Sequence, residues 1–103
     1  MSSRRLSDVL SPKARADVED ILAFGVREWG ELNAASYESA LERALANLSE
    51  FPEMGRARDD LRPGCRGLAV EHHVILYRAD EYKVEIVRIV HRKADIGRQL
   101  GDR

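Results

Sequence analysis

The chain has 103 residues, of which 44% are hydrophobic and 34% are charged, with a formal net charge of −1. This size and composition predict one small globular domain over residues 1–103, and they give no overall charge case for nucleic-acid binding. No apolar run approaches the ~20 residues that a membrane helix needs, and no signal-peptide core follows the basic N-terminus. We therefore expect a cytoplasmic protein without membrane contact. The single Cys65 agrees, because one thiol forms no internal disulfide.

The charges are unevenly distributed between the two halves of the chain. Residues 1–50 contain six Lys/Arg and nine Asp/Glu, whereas residues 51–103 contain eleven and nine. Fourteen of the seventeen cations are arginine, the side chain suited to bidentate contacts with phosphate or carboxylate groups. An acidic partner would therefore meet the C-terminal half.

The first predicted elements are a short strand at 5–10 and a helix at 12–29. Ser11-Pro12 is typical of a helix start, and Asp17 lies among acidic residues that favour the helix dipole. Helical spacing predicts one core-facing stripe that ends before Gly30: Val18, Ile21, Leu22, Gly25, Val26 and Trp29.

The second predicted helix follows after a connection of three or four residues. Its apolar stripe runs from Tyr37 to Leu48, with Asn33 as the expected cap and Phe51-Pro52 as the end. Such a short connection makes the two helices an antiparallel hairpin.

The second half of the chain changes to the pattern of a sheet. Residues 51–64 contain prolines, glycines and charges and are predicted to be a loop. The runs GLAV, HVILYR and KVEIVRIVH then predict three strands, and the short breaks between them require antiparallel neighbours. The order β-α-α-β-β-β predicts an α+β domain, a helical hairpin packed on a small antiparallel sheet, with a short C-terminal helical turn in KADIGRQLG.

This order, together with residues spread over about 6–100, resembles the ParE/RelE superfamily of bacterial toxins from type II toxin–antitoxin modules. The residues that carry the resemblance are Leu10-Ser11-Pro12, Asp17, Ile21, Trp29-Gly30, Phe51-Pro52, Met54-Gly55-Arg56, Leu61-Arg62, Arg66, His73, Tyr77-Arg78, Arg88-Ile89-Val90-His91 and Asp95. Met-Gly-Arg, Tyr-Arg and the Ile-Val-His-x-x-x-Asp ending are most similar to the ParE branch.

The ParE resemblance implies a toxin that inhibits DNA gyrase by binding, with no catalytic site of its own and no cofactor. It also implies a ParD-like ribbon-helix-helix antitoxin that holds the toxin in a hetero-oligomer, and no sequence-specific DNA binding by the toxin alone. The RelE branch implies the alternative, a ribosome-dependent endoribonuclease that cleaves messenger RNA. A third possibility is a non-toxic member retained for antitoxin binding and operon regulation.

The alternative function would use Arg66, Arg88 and His91. Metal-independent RNA cleavage needs an acid, a base and cations near the phosphorane, so the two arginines are candidates for a phosphate clamp and His91 for acid or base. RelE-like toxins typically add several lysines and often a C-terminal tyrosine or histidine. This chain has three lysines, and GRQLG contains no tyrosine, so the pattern favours gyrase binding.

Other polar residues of the strands have simpler interpretations. No metal site is predicted at His72 and His73, because Cys, Asp or Glu ligands at matching spacing are missing. We expect one of these histidines to face solvent, His73 to hydrogen-bond locally, Tyr77 to pack against the helices, and Arg78 to point outward or form an ion pair.

The candidate contacts with a target or antitoxin are arginines: Arg56, Arg58, Arg62, Arg66, Arg78 and Arg92. Those in the loop have an alternative interpretation as a solvated charge run with Asp59 and Asp60, since exposed ion pairs contribute little free energy.

Overall fold

The computed structural model describes residues 6–94 together with residues 96 and 98. Its elements are β1 (Ser7–Leu10), α1 (Pro12–Trp29), α2 (Glu31–Glu50), β2 (Arg56–Ala57), β3 (Arg66–Val70), β4 (His73–Ala79) and β5 (Lys83–His91). They form one five-stranded sheet in the order β1-β5-β4-β3-β2, with the helices packed on it. The α+β prediction is confirmed. The predicted C-terminal helical turn, including Asp95, falls mostly outside the described residues.

The sheet is mixed, which corrects the expectation of a purely antiparallel one. β3, β4 and β5 are antiparallel neighbours, but β1 pairs with β5 in parallel. The cause is the route of the helical hairpin, which returns the chain to the start of β1, where the Leu6 N–H donates to the Ser49 carbonyl at 3.0 Å. β3 therefore runs in the same direction as β1. β4 reverses that direction and β5 restores it, so β5 is parallel to β1. The predicted loop also contains one short strand, β2, which pairs with the start of β3.

Helix α1 occupies the predicted residues, and local signals explain both of its ends. The Ser11 hydroxyl accepts a hydrogen bond from the Ala14 N–H at 3.0 Å. The link to α2 is shorter than predicted, because Gly30 alone makes it, at a φ of 86° that favours glycine. Asn33 is not the cap of α2. Its side-chain amide donates to the Trp29 carbonyl at 2.9 Å and so completes the end of α1.

The core lies between the helices and the sheet. Its buried members are Ala14, Ala44, Leu48, Ile75, Tyr77, Val84, Ile86 and Ile89. Helix α1 buries only Ala14 and Gly25, and Val26, which the spacing predicts for the core, is 45% exposed. The reason is that Gly25 faces Ala34 of α2, and Val26 is rotated from it by about 100° around the helix axis.

No helix among the described residues is long and apolar enough to cross a membrane.

Helix α1 also protects the edge of β5 beyond the point where β1 ends. The Ser11 hydroxyl donates to the Val87 carbonyl at 2.7 Å, and Asp17 Oδ2 accepts the Ile89 N–H at 2.9 Å. These bonds satisfy backbone groups of β5 that β1 does not reach. Asp17 lies past the first turn of α1, so its role is this contact with β5 rather than the predicted effect on the helix dipole.

Candidate functional site

The guanidinium group of Arg88 is bound by the carboxylate of Asp17. Nε lies 2.7 Å from Oδ2 and Nη2 lies 2.9 Å from Oδ1, and the two side chains are 17% and 13% exposed. This bidentate hydrogen bonding raises the pKa of Arg88 above its ordinary value. A phosphate at Arg88 would have to displace the carboxylate, so the fold uses this arginine to join β5 to α1.

Arg66 and Tyr77 hold the loop that follows α2. Arg66 Nη1 donates to the carbonyl oxygens of Gly55 at 2.8 Å and Glu53 at 3.3 Å. The Tyr77 hydroxyl donates to the Pro52 carbonyl at 2.7 Å and accepts the Gly55 N–H at 2.9 Å. A Cβ at Gly55 would collide with the ring and hydroxyl of Tyr77, so only glycine fits. Tyr77 packs in the core as predicted, and burial raises its pKa.

The three residues of the nuclease alternative do not converge on one point. Strand β4 lies between β3 and β5: its Tyr77 is opposite Arg66 of β3, and its His73 is opposite His91 of β5. Tyr77 and His73 are four positions apart on β4, which corresponds to about 13 Å along the sheet. Arg88 is bound elsewhere, as described above.

The remaining candidate arginines lie on different parts of the surface. Arg58 forms a double hydrogen bond with Asp60 at 3.0 and 2.9 Å, and this lowers the pKa of the aspartate. Arg78 faces outward in a loose ion pair with Glu85 at 3.6 Å, as predicted. Of the others, Arg56 is exposed on β2, Arg62 is half-buried, and Arg92 follows β5 at the opposite end of the sheet.

The three histidines meet at the end of the sheet where β3 turns into β4. Glu71 has a φ of 52°, which is uncommon outside glycine and allows a tight turn that places Val70 opposite His73. His73 also lies opposite His91, with the ring centroids 5.4 Å apart. His72, in the turn itself, is exposed.

A hydrogen-bond network makes His73 part of the fold. The Tyr37 hydroxyl lies 2.6 Å from His73 Nδ1 and donates to the Val70 carbonyl at 2.9 Å. Burial, with smaller effects from His91 and His72, lowers the pKa of His73 to about 4, so the ring is neutral at pH 7. The expected local hydrogen bond of His73 is therefore confirmed.

Phe24 and Trp29 of α1 complete a groove in front of these histidines. Trp29 makes edge-to-face contacts with Phe24 and Tyr37, each at a centroid distance of 5.8 Å, and it lies 5.7 Å from the His72 ring. The groove has a volume of about 500 Å³ and is lined by Asp20, Ile21, Phe24, Trp29, His72, His73 and His91. Its lining surface is mainly apolar, and we call it the aromatic groove.

Two further concavities adjoin the aromatic groove and differ in charge. One shares Trp29 and His72 with it and also contains Glu28 and Glu71. The other shares His72 and His91 and contains Arg92 and Lys93 beside Glu71. Over residues 6–94, 96 and 98, no three His, Cys, Asp or Glu side chains are arranged to hold a metal ion.

The sequence pattern predicts the members of this groove only one by one. Helical spacing predicts Trp29 and Tyr37 for the core, and Tyr37 is indeed buried at 4% exposure. The usable signal is their position relative to Gly30: Trp29 directly precedes it and Tyr37 lies two turns into α2, and a hairpin joined by one glycine places these two positions side by side. The neighbouring turn that carries His72 completes the groove, and that contact depends on the tertiary fold.

Comparison with known proteins gives a consistent result over most of the chain. Residues 9–96 match the model of the family described as ParE toxin of type II toxin–antitoxin system, parDE. Toxin ParE1 of Mycobacterium tuberculosis is 38% identical over 101 residues, which are 97% of this chain and all of the relative. Toxin ParE1 of Caulobacter vibrioides is 36% identical over 92 residues, 89% of this chain and 95% of the relative.

A solved structure supports the same fold. The structure described as the chromosomal ParDE TA system from P. aeruginosa superimposes with a TM-score of 0.72, over 84% of this chain and 96% of that chain. Its sequence identity is 24%, so this likeness concerns the fold alone.

Proposed function

The chain belongs to the ParE toxin family of type II toxin–antitoxin systems, and on this premise we propose that it inhibits DNA gyrase by binding and is neutralised by a ParD-like ribbon-helix-helix antitoxin. The family description names parDE, and the similar P. aeruginosa structure is described as a ParDE toxin–antitoxin system, which supports an antitoxin partner here. The toxin would act by contact with its target rather than by chemistry of its own.

The observation that carries this proposal is the state of the residues that a ribonuclease would need. Arg88 is bound by Asp17 and Arg66 by loop carbonyls, while His91 lies at the surface about 13 Å further along the sheet than Arg66. General acid–base cleavage needs such groups within hydrogen-bond distance of one phosphate. Their separation supports a binding toxin over the ribosome-dependent alternative.

The surface arginines are the proposed contacts with acidic partners. Arg56, Arg78 and Arg92 are exposed, so their guanidinium groups can reach a carboxylate of gyrase or of the antitoxin. Arg58 and Arg62 can add to such a contact from the same loop. Arg66 instead holds that loop in place, and its replacement is expected to act through the loop conformation.

Two assays on the purified chain test the proposal. One measures supercoiling by gyrase and the accumulation of cleavage complexes, and the other measures messenger cleavage on programmed ribosomes. We expect inhibition of gyrase that the antitoxin relieves, and the same inhibition by His91→Ala, because His91 performs no chemistry in a binding toxin.

Ribosome-dependent cleavage with unaffected gyrase would refute the proposed function. Loss of that cleavage in His91→Ala would then assign the alternative function, because His91 is exposed and its truncation leaves the core intact. Arg88→Ala is less informative, since it also removes the contact with Asp17. Circular dichroism of each variant separates loss of fold from loss of function.

A further inference from the structure

We propose that the loop after α2, residues 51–55, is the surface by which the toxin contacts gyrase, with Phe51 and Met54 inserted into an apolar pocket of the enzyme that has an acidic rim. We call these residues the anchor loop. The inference rests on the proposed function, which names gyrase as the target, and it adds the contact surface and the chemistry of the site that receives it.

The anchor loop exposes two large apolar side chains. Phe51 is 57% exposed and Met54 is 48% exposed, and the two core clusters of the described residues are built from other side chains. Phenylalanine and methionine are enriched where protein interfaces are most buried, and aromatic anchors there dominate the binding energy. The fold therefore leaves unused two side chains of the kind that bind partners.

A third exposed ring lies at the same end of the molecule. Tyr82, in the turn between β4 and β5, is 72% exposed, and its carbonyl accepts the Ser7 N–H at 3.5 Å. The preceding residue, Leu6, donates its N–H to the Ser49 carbonyl at the end of α2. This end of the molecule thus presents more exposed apolar surface than one loop alone.

The backbone of the anchor loop is held in place from the core. Tyr77, which is fully buried, donates its hydroxyl proton to the Pro52 carbonyl and accepts the Gly55 N–H. Arg66 Nη1 donates to the carbonyls of Glu53 and Gly55, and the Met54 N–H donates to the Phe51 carbonyl at 3.1 Å. Few backbone conformations remain to be lost when a partner binds, which favours affinity.

The shape of this surface favours gyrase over the antitoxin as the partner. Side chains that project from a fixed loop bind best in a pocket that already exists in the partner. A folded enzyme contains such pockets, whereas an antitoxin segment that folds on binding lies along a groove instead. Tyr77, which holds the anchor loop, is about 13 Å along β4 from His73, so the loop is separate from the aromatic groove.

The charges at the loop specify the rim of the pocket. Arg56 follows Gly55 directly and is exposed, and Arg66 brings a second positive charge to the loop carbonyls. The loop itself contributes the carboxylate of Glu53. Two cations against one carboxylate favour an acidic rim, because complementary charges speed association and exclude wrong partners.

The main experiment compares the wild type with Phe51→Ser and Met54→Ser in two assays. Supercoiling by purified gyrase gives the toxin concentration for half inhibition, and calorimetric titration gives the Kd for the small protein encoded by the gene beside that of the toxin. We expect Phe51→Ser to raise the half-inhibition concentration about tenfold or more, and Met54→Ser to raise it less. The antitoxin Kd should stay unchanged in both variants.

The matched control is Leu32→Ser. Leu32 is 88% exposed near the start of α2, at the end of the helical hairpin where Trp29 contacts His72. Its replacement removes an exposed apolar side chain of similar size far from the anchor loop, so inhibition of gyrase should not change. Thermal unfolding of all three variants checks that the fold is retained.

Charge reversal tests the acidic rim separately. Arg56→Glu is expected to weaken inhibition, and the loss should shrink at high salt because exposed charges are screened. Arg27→Glu is the control, since Arg27 is also exposed but lies in the last turn of α1. Equal effects of the two substitutions would overturn the acidic rim.

The preformed loop has its own test in Tyr77→Phe, which removes the hydroxyl that holds Pro52 and Gly55. We expect faster hydrogen exchange at the Gly55 amide and weaker inhibition of gyrase, although Phe51 and Met54 are both present. Unchanged inhibition despite faster exchange would overturn the requirement for a preformed loop.

The remaining outcomes separate this inference from the proposed function. Absence of gyrase inhibition by the wild type would overturn both. Inhibition that Phe51→Ser and Met54→Ser retain in full would overturn the anchor loop as the contact and leave the proposed function standing. Loss of antitoxin binding in these variants would assign the loop to the antitoxin, and a wild-type dimer that Phe51→Ser dissociates in sedimentation would assign it to a second copy of the chain; either result would overturn the inference.

Discussion

Replacement of Asp17 by alanine should strongly destabilise this domain although Asp17 lies outside the hydrophobic core. Its carboxylate accepts three hydrogen bonds, two from the Arg88 guanidinium and one from the Ile89 N–H. The substitution removes two hydrogen bonds from a half-buried guanidinium group and the acceptor of one backbone N–H of β5. Both groups have limited access to water, so the lost bonds are only partly replaced.

The magnitude follows from the burial of the pair. Removal of one partner from a buried ion pair costs about 3–5 kcal/mol, and an unsatisfied backbone N–H costs a further 1–3 kcal/mol. The Arg88 and Asp17 side chains are 17% and 13% exposed, so water relieves part of both costs. We expect the free energy of unfolding to fall by about 3 kcal/mol, a large share of the 5–15 kcal/mol typical of such domains.

The assay is urea unfolding of four proteins in a double-mutant cycle: wild type, Asp17→Ala, Arg88→Ala and the double variant. Removal of both partners should cost less than the sum of the two single losses. Hydrogen exchange adds a local measurement, because the Ile89 amide should become much less protected in Asp17→Ala. Asp60→Ala serves as the control, since the Arg58–Asp60 pair is exposed and should leave the midpoint unchanged.

Additive losses in the cycle, or an Ile89 amide that already exchanges fast in the wild type, would refute this role of Asp17. The same variants bear on function. If Arg88 served only the fold, Asp17→Ala and Arg88→Ala would lose toxicity in proportion to their lost stability. If Arg88 bound phosphate, Arg88→Ala would lose far more activity than Asp17→Ala at equal stability.

Three further predictions follow from single contacts. His73 has a pKa of about 4 in the folded chain against an ordinary value of 6.5, so the unfolded state takes up the proton first and stability should fall as the pH drops from about 6.5 towards 4. The loss is about 1–2 kcal/mol after allowance for partial exposure; His73→Asn should flatten this profile in unfolding curves, and an unchanged slope would contradict the assignment. Gly55→Ala should destabilise by about 2 kcal/mol through overlap with Tyr77, with Tyr77→Phe as the companion variant that removes the hydroxyl, and an unshifted melting temperature for Gly55→Ala would argue against the close contact. Cys65 is 2% exposed and burial raises its pKa, so thiol reagents should label the native chain only as fast as it unfolds, and rapid labelling without denaturant would be inconsistent with this packing.

Some features of this protein were predictable from short stretches of sequence, because their causes are local. Ser11-Pro12 and Gly30 set the ends of α1 through a side-chain cap and a backbone conformation that favours glycine. The β-branched runs likewise predict the three strands of the meander close to their observed bounds. The same ordered residues carry the resemblance to the ParE/RelE superfamily, which the family comparison confirms for the ParE branch.

Other features depend on where distant elements come to rest. Spacing cannot show that Val26 is exposed, because the side of α1 that is covered depends on how α2 lies against it. It also cannot show that Arg56, Arg58 and Arg62 lie far from Arg92, since that depends on the path of the strands between them. The sequence therefore identified the candidate arginines but could not predict which of them lie on the same surface.

The sequence by itself determined both helices, the longer strands, their order and the family, since caps, turn residues and hydrophobic periods act over a few neighbouring residues. Only the tertiary structure decided that β1 lies parallel to β5, that Asp17 meets Arg88 across 71 positions, and that Trp29 stands against the histidine turn. The physical reason is that the return path of the helical hairpin sets strand direction and helix placement together. The resulting contacts join residues that are far apart in the sequence, so no local sequence pattern predicts them.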